Sequence, residues 1–148
     1  MKKVLTFIVL VFLSTSLFAG GNDGDFVQTD ENFYYLKTLR YGVKSFLVGT
    51  LENGEKIKFA KEDVIAFKKD GERFDKVAIV KDNVCTDNYC FMQLVAYKNS
   101  LKVYKHVYYG TDGELTSRHY VFKNEQFVVK FDRENKESLL AFFEGSNK

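Results

Sequence analysis

The sequence predicts a mainly β protein: an antiparallel meander of about eight or nine strands followed by one C-terminal amphipathic helix. Runs rich in Val, Ile, Phe, Tyr and Thr recur from Phe33 onward, and dipeptides that favour tight turns interrupt them at short intervals. Helical spacing of apolar residues appears only near the end of the chain. This pattern is compatible with an open, a sandwich-like or a barrel-like sheet.

The start of the chain resembles a secretory signal peptide in its three parts. A basic "KK" is followed by the apolar run "VLTFIVLVFL" and then by "STSLFAGG", which is rich in small residues. The apolar run is shorter than the roughly 20 residues that a membrane-spanning helix needs. We therefore predict that residues 1–19 are removed by cleavage after Ala19, with cleavage after Ser16 as the alternative, and that the product is secreted or periplasmic without a stable membrane span.

The remaining chain has the size of a single domain and no excess of charge. The full sequence has 22 basic and 20 acidic residues, and the predicted cleavage removes Lys2 and Lys3 without any acidic residue. Nucleic acids and anionic membranes attract clustered basic surfaces, so neither is a predicted partner. We predict a flexible leader over residues 20–32 and one antiparallel β domain over residues 33–148.

Four turns divide the predicted strands. Asn53-Gly54, Asp70-Gly71 and Asp112-Gly113 tolerate the positive φ of a hairpin turn, and Asn124-Glu125 is a weaker candidate because it lacks glycine. The strands are predicted near residues 33–41, 44–51, 55–60, 64–69, 73–82, 90–97, 101–109, 115–123 and 126–131.

The last segment is predicted to be a helix over residues 133–144. Two leucines and two phenylalanines recur there at helical spacing, and Gly145 can end the helix. A stripe of this kind is usually a face that packs on a sheet. We expect the helix to cover an apolar part of the domain.

The two cysteines, Cys85 and Cys90, are predicted to form a disulfide. If Asp87-Asn88 is a two-residue turn, the cysteines face each other at a position where Cα atoms lie about 4.5 Å apart, which a disulfide accepts. Export to an oxidising compartment favours the bond. A thioredoxin-like site has a shorter spacer at the start of a helix, and zinc would need a closer pair of histidines, so neither is predicted.

The two histidines are predicted to meet across a hairpin. A two-residue turn at Asp112-Gly113 places His106 opposite His119, with Tyr104 and Tyr108 on the same face. These four residues are a possible surface for a ligand or partner. No carboxylate completes a metal site there, so no metal and no cofactor are predicted.

No motif of a known catalytic centre is present: the chain has no G-x-S-x-G, glycine-rich phosphate loop or H-E-x-x-H. Its 9 tyrosines and 15 phenylalanines favour binding instead. We predict an exported, bacterial-type, non-enzymatic β domain that binds an unknown protein, a glycan or a small apolar ligand. The alternative function is a closed-barrel carrier of a small apolar ligand.

Overall fold

The computed structural model describes residues 24–41 and 45–132, together with Ala141. Residues 24–41 and 45–132 form strands and turns and contain no helix. The prediction of a mainly β, antiparallel fold is confirmed. The signal peptide predicted over residues 1–19 lies outside the described residues, and so does the helix predicted over residues 133–144 apart from Ala141.

Eleven strands are present in the described residues. In chain order, β1 to β11 are Asp25–Thr29, Phe33–Leu36, Thr38–Tyr41, Phe46–Thr50, Lys56–Ala60, Val64–Lys69, Glu72–Lys81, Val84–Lys98, Leu101–Tyr109, Leu115–Lys123 and Gln126–Asp132. They form a large sheet of eight strands in the order β11-β10-β9-β8-β7-β6-β1-β2 and a small sheet in the order β3-β4-β5. The described strands of the large sheet form an open sheet with β11 and β2 at its edges, so they do not close a barrel.

The beginning of the domain differs from the prediction. Residues assigned to the leader form β1, because Phe26 and Val27 are buried between β2 and β6. The single strand predicted over residues 33–41 is divided at Lys37, where the chain passes from the large sheet to the small one. The Lys37 amide donates a hydrogen bond to the carbonyl of Thr50 at 2.8 Å, which directs β3 onto β4.

The carboxylate of Asp25 joins three parts of the fold. One of its oxygens accepts a hydrogen bond from the Leu39 amide at 2.8 Å, and the other accepts one from the Asp70 amide at 2.9 Å. The first donor lies on β3 and the second lies in the turn between β6 and β7. A single side chain at the start of β1 therefore holds both sheets in place.

One apolar core lies between the two sheets. Val27, Leu36, Val64 and Phe67 of the large sheet pack there with Leu39, Leu47 and Phe59 of the small sheet. Gly49 of β4 contributes the necessary space, because a Cβ atom at that position would lie 2.6 Å from a Leu36 methyl carbon. Close packing between the sheets thus depends on the absence of a side chain at one position.

The far half of the large sheet has apolar residues on both faces. On the face that we call the cleft face, Met92, Tyr104, Tyr120 and Phe122 form one cluster with Val77. On the opposite face, a second cluster contains Leu101, Val103 and Val121. Alternate side chains of a strand point to opposite faces of the sheet, so alternating residues of the same strands form the two clusters.

The two-residue turns follow the prediction in part. Asp70-Gly71 and Asn124-Glu125 both have positive φ at their two central positions and close hairpins, as predicted. Asp82-Asn83 and Asn99-Ser100 do the same without glycine and were not predicted. Asn and Asp tolerate positive φ better than most residues, which explains these additional turns.

The other two predicted turns are longer by one residue. At Asp112-Gly113, the closing pair is Gly110 and Glu114, whose backbones are joined by a 2.8 Å hydrogen bond. Gly113, at φ +80°, takes the left-handed position of a three-residue loop rather than the second position of a two-residue turn. Asn53-Gly54 has the same arrangement. One extra loop residue shifts the register of the hairpin that follows.

Candidate functional site

A cleft opens in the large sheet where β7 separates from β6. Residues 72–75 of β7 are paired with residues 66–69 of β6. From Phe74 onward β7 is also paired with β8, and beyond Asp75 its pairing with β6 ends. The cleft has a volume of about 700 Å³ and is open to solvent. Parts of β1, β6, β7, β8, β9 and β10 line it.

The floor of the cleft contains a buried polar network. The Tyr104 hydroxyl donates a 2.8 Å hydrogen bond to one oxygen of the Asp75 carboxylate, and the Arg73 Nε atom lies 2.8 Å from the other oxygen. Asp75 and Tyr104 are 7% and 4% exposed. Buried carboxylates need such partners, because an unpaired charge in a weakly polar environment is strongly unfavourable. The network therefore fixes the positions of three polar side chains.

Burial raises the pKa of Tyr104 well above its ordinary value, and the charge of Asp75 and their hydrogen bond act in the same direction. The hydroxyl consequently stays protonated and continues to donate to Asp75 throughout the physiological pH range. This arrangement suits a structural donor and does not suit a group that exchanges protons during catalysis.

The wall of the cleft is polar and contains an exposed aromatic ring. Thr86 donates a 2.8 Å hydrogen bond to the Ile79 carbonyl, which ties the first part of β8 to β7. Tyr89, on the same part of β8, is 58% exposed and lines the cleft. Lys102 and Glu125 contribute charges of both signs. The cleft can therefore offer hydrogen-bond donors, acceptors and a ring face to one ligand.

The predicted disulfide is wrong: Cys85 and Cys90 are both free and are not at bonding distance. The turn of this hairpin is at Asp82-Asn83 rather than at Asp87-Asn88, so both cysteines belong to β8. Cys85 is paired with Val80, and Cys90 with Val77, both on β7. Residues on one strand do not face each other across a ladder, which explains why the bond is not formed.

The predicted meeting of the two histidines is also wrong. Because the loop at Asp112-Gly113 has three residues, His106 is opposite Arg118 and His119 is opposite Lys105. This shift of one residue places the two histidines on opposite faces of the sheet. The four residues predicted as a possible surface are therefore divided: Tyr104, His106 and Tyr108 lie on the cleft face, and His119 does not.

His106 has a different neighbour on the cleft face. Its Nε2 atom lies 3.9 Å from the Sγ atom of Cys90, and its ring contacts Tyr108 and Tyr120 with centroid distances of 5.6 and 6.4 Å. Burial lowers the pKa of His106, and the positive charge of Arg118 lowers it further. Burial raises the pKa of the Cys90 thiol. Both side chains are thus held in their neutral forms.

The sequence prediction did not include the polar floor. A usable indication was present in "ERFDKVAIVK", since alternation places Arg73, Asp75 and Val77 on one face of a strand. An aspartate in the middle of a strand, next to apolar positions, requires a partner if that face is buried. Its partner, Tyr104, lies two strands away. This contact could not be predicted from the sequence, because it depends on how β7 pairs with β8 and how β8 pairs with β9.

Within the described residues, no group of three or more His, Cys, Asp and Glu side chains converges on a metal position. The same part of the chain contains no helix with the length and apolar character to cross a membrane. In the three comparisons with known proteins, no family model, curated protein or solved structure matched this chain.

Proposed function

We propose that this protein is an exported, non-enzymatic binding domain that takes a hydroxyl-rich ligand, such as a saccharide, in the cleft between β6 and β7. One observation carries the proposal: a cleft of about 700 Å³ lies over the hydrogen-bonded network of Arg73 with the buried Asp75 and Tyr104. Ligand sites commonly have volumes of roughly 300–1,000 Å³ and combine a shaped cavity with a few fixed polar groups.

The cleft contains both kinds of group that a polyhydroxylated ligand needs. The Arg73 side chain is held by Asp75 and is 40% exposed, so its guanidinium is oriented and within reach of solvent. Tyr89 provides an exposed ring with a hydroxyl at its tip, which can contact the apolar face and the hydroxyls of a sugar. Because the floor is held by hydrogen bonds before a ligand arrives, little conformational entropy is lost on binding.

The chemistry of the floor supports binding rather than catalysis. Both oxygens of Asp75 are engaged, one by Arg73 and the other by Tyr104. The raised pKa of Tyr104 makes it a poor general acid at neutral pH. A catalytic carboxylate or hydroxyl would need a free position from which to reach a substrate.

A carrier of a small apolar ligand is the second candidate function. It would need an apolar, enclosed volume, and the lining of the cleft instead includes the charged residues Arg73, Asp75, Lys102 and Glu125. Burying these groups under an apolar ligand without hydrogen bonds would be unfavourable. The cleft therefore favours a polar ligand.

The test is a saccharide array, followed by calorimetry with each saccharide that binds, using wild type and two tyrosine variants. Tyr89→Ala removes a ring from the cleft, whereas Tyr97→Ala removes a similarly exposed ring, 66% exposed, that does not line it. We expect Tyr89→Ala to weaken binding at least tenfold and Tyr97→Ala to leave it unchanged. Equal losses in the two variants would contradict a site in the cleft.

A fluorescent apolar probe, added to the same proteins, distinguishes the two candidate functions. Stoichiometric binding of the apolar probe, with no response to any saccharide, would favour the carrier. Export itself is tested by fractionating the producing cell and reading the N-terminus of the protein by mass spectrometry, where we expect Gly20 as the first residue.

A further inference from the structure

We propose that Cys90 and His106, together with the thioether of Met92, form a site for monovalent copper on the cleft face. The Sγ atom of Cys90 and the Nε2 atom of His106 lie 3.9 Å apart. Met92 is paired with Asp75 and Cys90 with Val77, so these two sulfur-containing side chains of β8 point to the same face. Met92 belongs to one apolar cluster with Tyr120, Cys90 packs against this cluster, and the His106 ring contacts Tyr120.

The third ligand follows from the pairing of β8 with β9. Gln93 is paired with Lys105. The preceding residue of β8, Met92, and the following residue of β9, His106, are therefore neighbours on the cleft face. Met92 is 1% exposed, so its sulfur lies in a water-poor part of the sheet.

The distance between Sγ and Nε2 fits a shared metal ion. With a metal–sulfur bond of about 2.3 Å and a metal–nitrogen bond of about 2.0 Å, a separation of 3.9 Å corresponds to an angle of about 130° at the metal. This angle is wider than that of a tetrahedral site and is close to that of a site with three ligands in a plane. Copper(I) accepts such low coordination, and thiolate, thioether and imidazole are ligands that suit it.

Charge favours a monovalent ion over a divalent one. One thiolate neutralises one Cu⁺, so the occupied site has no net charge. A neutral site suits these surroundings, because burial disfavours a thiolate whose charge is not neutralised. Zinc usually takes four ligands, and the described residues bring no carboxylate to complete such a set. Arg118, opposite His106, adds a positive charge that is unfavourable for a divalent ion, although its ion pair with Asp132 reduces this effect.

Binding is a substitution without electron transfer. The S–H bond of Cys90 breaks, its proton leaves to water, and a bond between sulfur and Cu⁺ forms. His106 binds through the lone pair of Nε2 in its neutral form. Met92 contributes a sulfur lone pair and loses no proton.

The experiment titrates anaerobic Cu(I) into the full chain against a chromophoric Cu(I) chelator. We expect one Cu(I) per chain in wild type and at least a tenfold loss of affinity in Cys90→Ser and in His106→Ala. The chain provides a matched control for each: Cys85→Ser removes the exposed cysteine, and His119→Ala removes the histidine on the opposite face. Both controls should bind as wild type does.

Two results would overturn the proposal. One is wild-type affinity in Cys90→Ser or His106→Ala with an unchanged circular dichroism spectrum. The other is an equal loss in Cys85→Ser, which would assign the metal to the pair of thiols. X-ray absorption of the wild-type complex is independent of how the variants fold: it should show sulfur and nitrogen neighbours together, and a copper with sulfur neighbours alone would refute the site.

Discussion

Tyr104→Phe should destabilise the domain through the loss of one hydroxyl. The change keeps the ring in its cluster with Met92 and Phe122 and removes the 2.8 Å hydrogen bond to the Asp75 carboxylate. Hydrogen bonds to charged groups contribute about 1.5–3 kcal/mol. Arg73 still holds the other oxygen, so we expect a value in the lower part of that range, about 1.5–2 kcal/mol.

Urea and thermal unfolding measure this effect. A loss of about 1.5–2 kcal/mol corresponds to a fall in melting temperature of roughly 6–8 °C for a domain of this size. The control is Tyr97→Phe, which removes a hydroxyl from an exposed side chain and should change the free energy of unfolding by less than about 0.5 kcal/mol. Similar values for the two variants would refute the assignment of Tyr104 and Asp75 as a stabilising pair.

The same pair should make stability depend on pH in alkaline solution. The pKa of Tyr104 is raised in the folded protein, so above pH 10 the unfolded chain loses its proton first. The stability that the hydrogen bond contributes is complete below pH 10 and declines as the pH rises above it. In Tyr104→Phe this decline should be smaller.

Three further predictions concern other parts of the domain. Gly49→Ala should lower the free energy of unfolding by about 1–3 kcal/mol, measured by chemical denaturation, because the new methyl group collides with Leu36. Gly24→Ala, whose methyl group would make only an ordinary 3.5 Å contact, is the control. Equal effects of the two changes would contradict the close packing between the sheets. Thiol counting on unreduced, denatured protein should find two free thiols, and none would show that Cys85 and Cys90 become bonded in solution. In metal-free protein, NMR should show that the His106 ring titrates with a pKa below 6.5. The free energy of unfolding should decrease as the pH drops from 6.5 to that lowered pKa, because the unfolded chain takes up the proton first. A His106 pKa above 6.5 would contradict its burial beside Arg118.

The strands were predictable from the sequence because their signals are local. Alternating apolar residues and the dipeptide Asp70-Gly71 located β6 and β7 within a residue or two. The start of β8 was predicted at residue 90 instead of Val84, because "TDN" within it resembles a turn. The actual turn, Asp82-Asn83, offers no glycine, and only the pairing of β7 with β8 selects it.

The candidate site was much less predictable than the strands. His106 was identified as a residue of interest, but its neighbour depended on whether the loop at Gly113 has two or three residues. An error of one residue at this loop exchanged His119 for Arg118. The contact of His106 with Cys90 depends on a different register, that of β8 with β9, which was not predicted because the turn before β8 was misplaced. Contacts across a sheet combine several registers, and one mistaken register reverses the face on which every later side chain lies.

The position of β1 in the large sheet has a consequence for the order of folding. β6 to β11 are neighbours in both sequence and space, so each can pair soon after its predecessor has formed. β1 is the first of the described strands in the chain but lies between β2 and β6, with Phe26 paired to Lys68. Contacts between residues distant in sequence form slowly, because a long loop must close before they contribute. The N-terminal strand should therefore stay unpaired with β6 until the middle of the domain is available, and the two hydrogen bonds to Asp25 should form among the last in the protein.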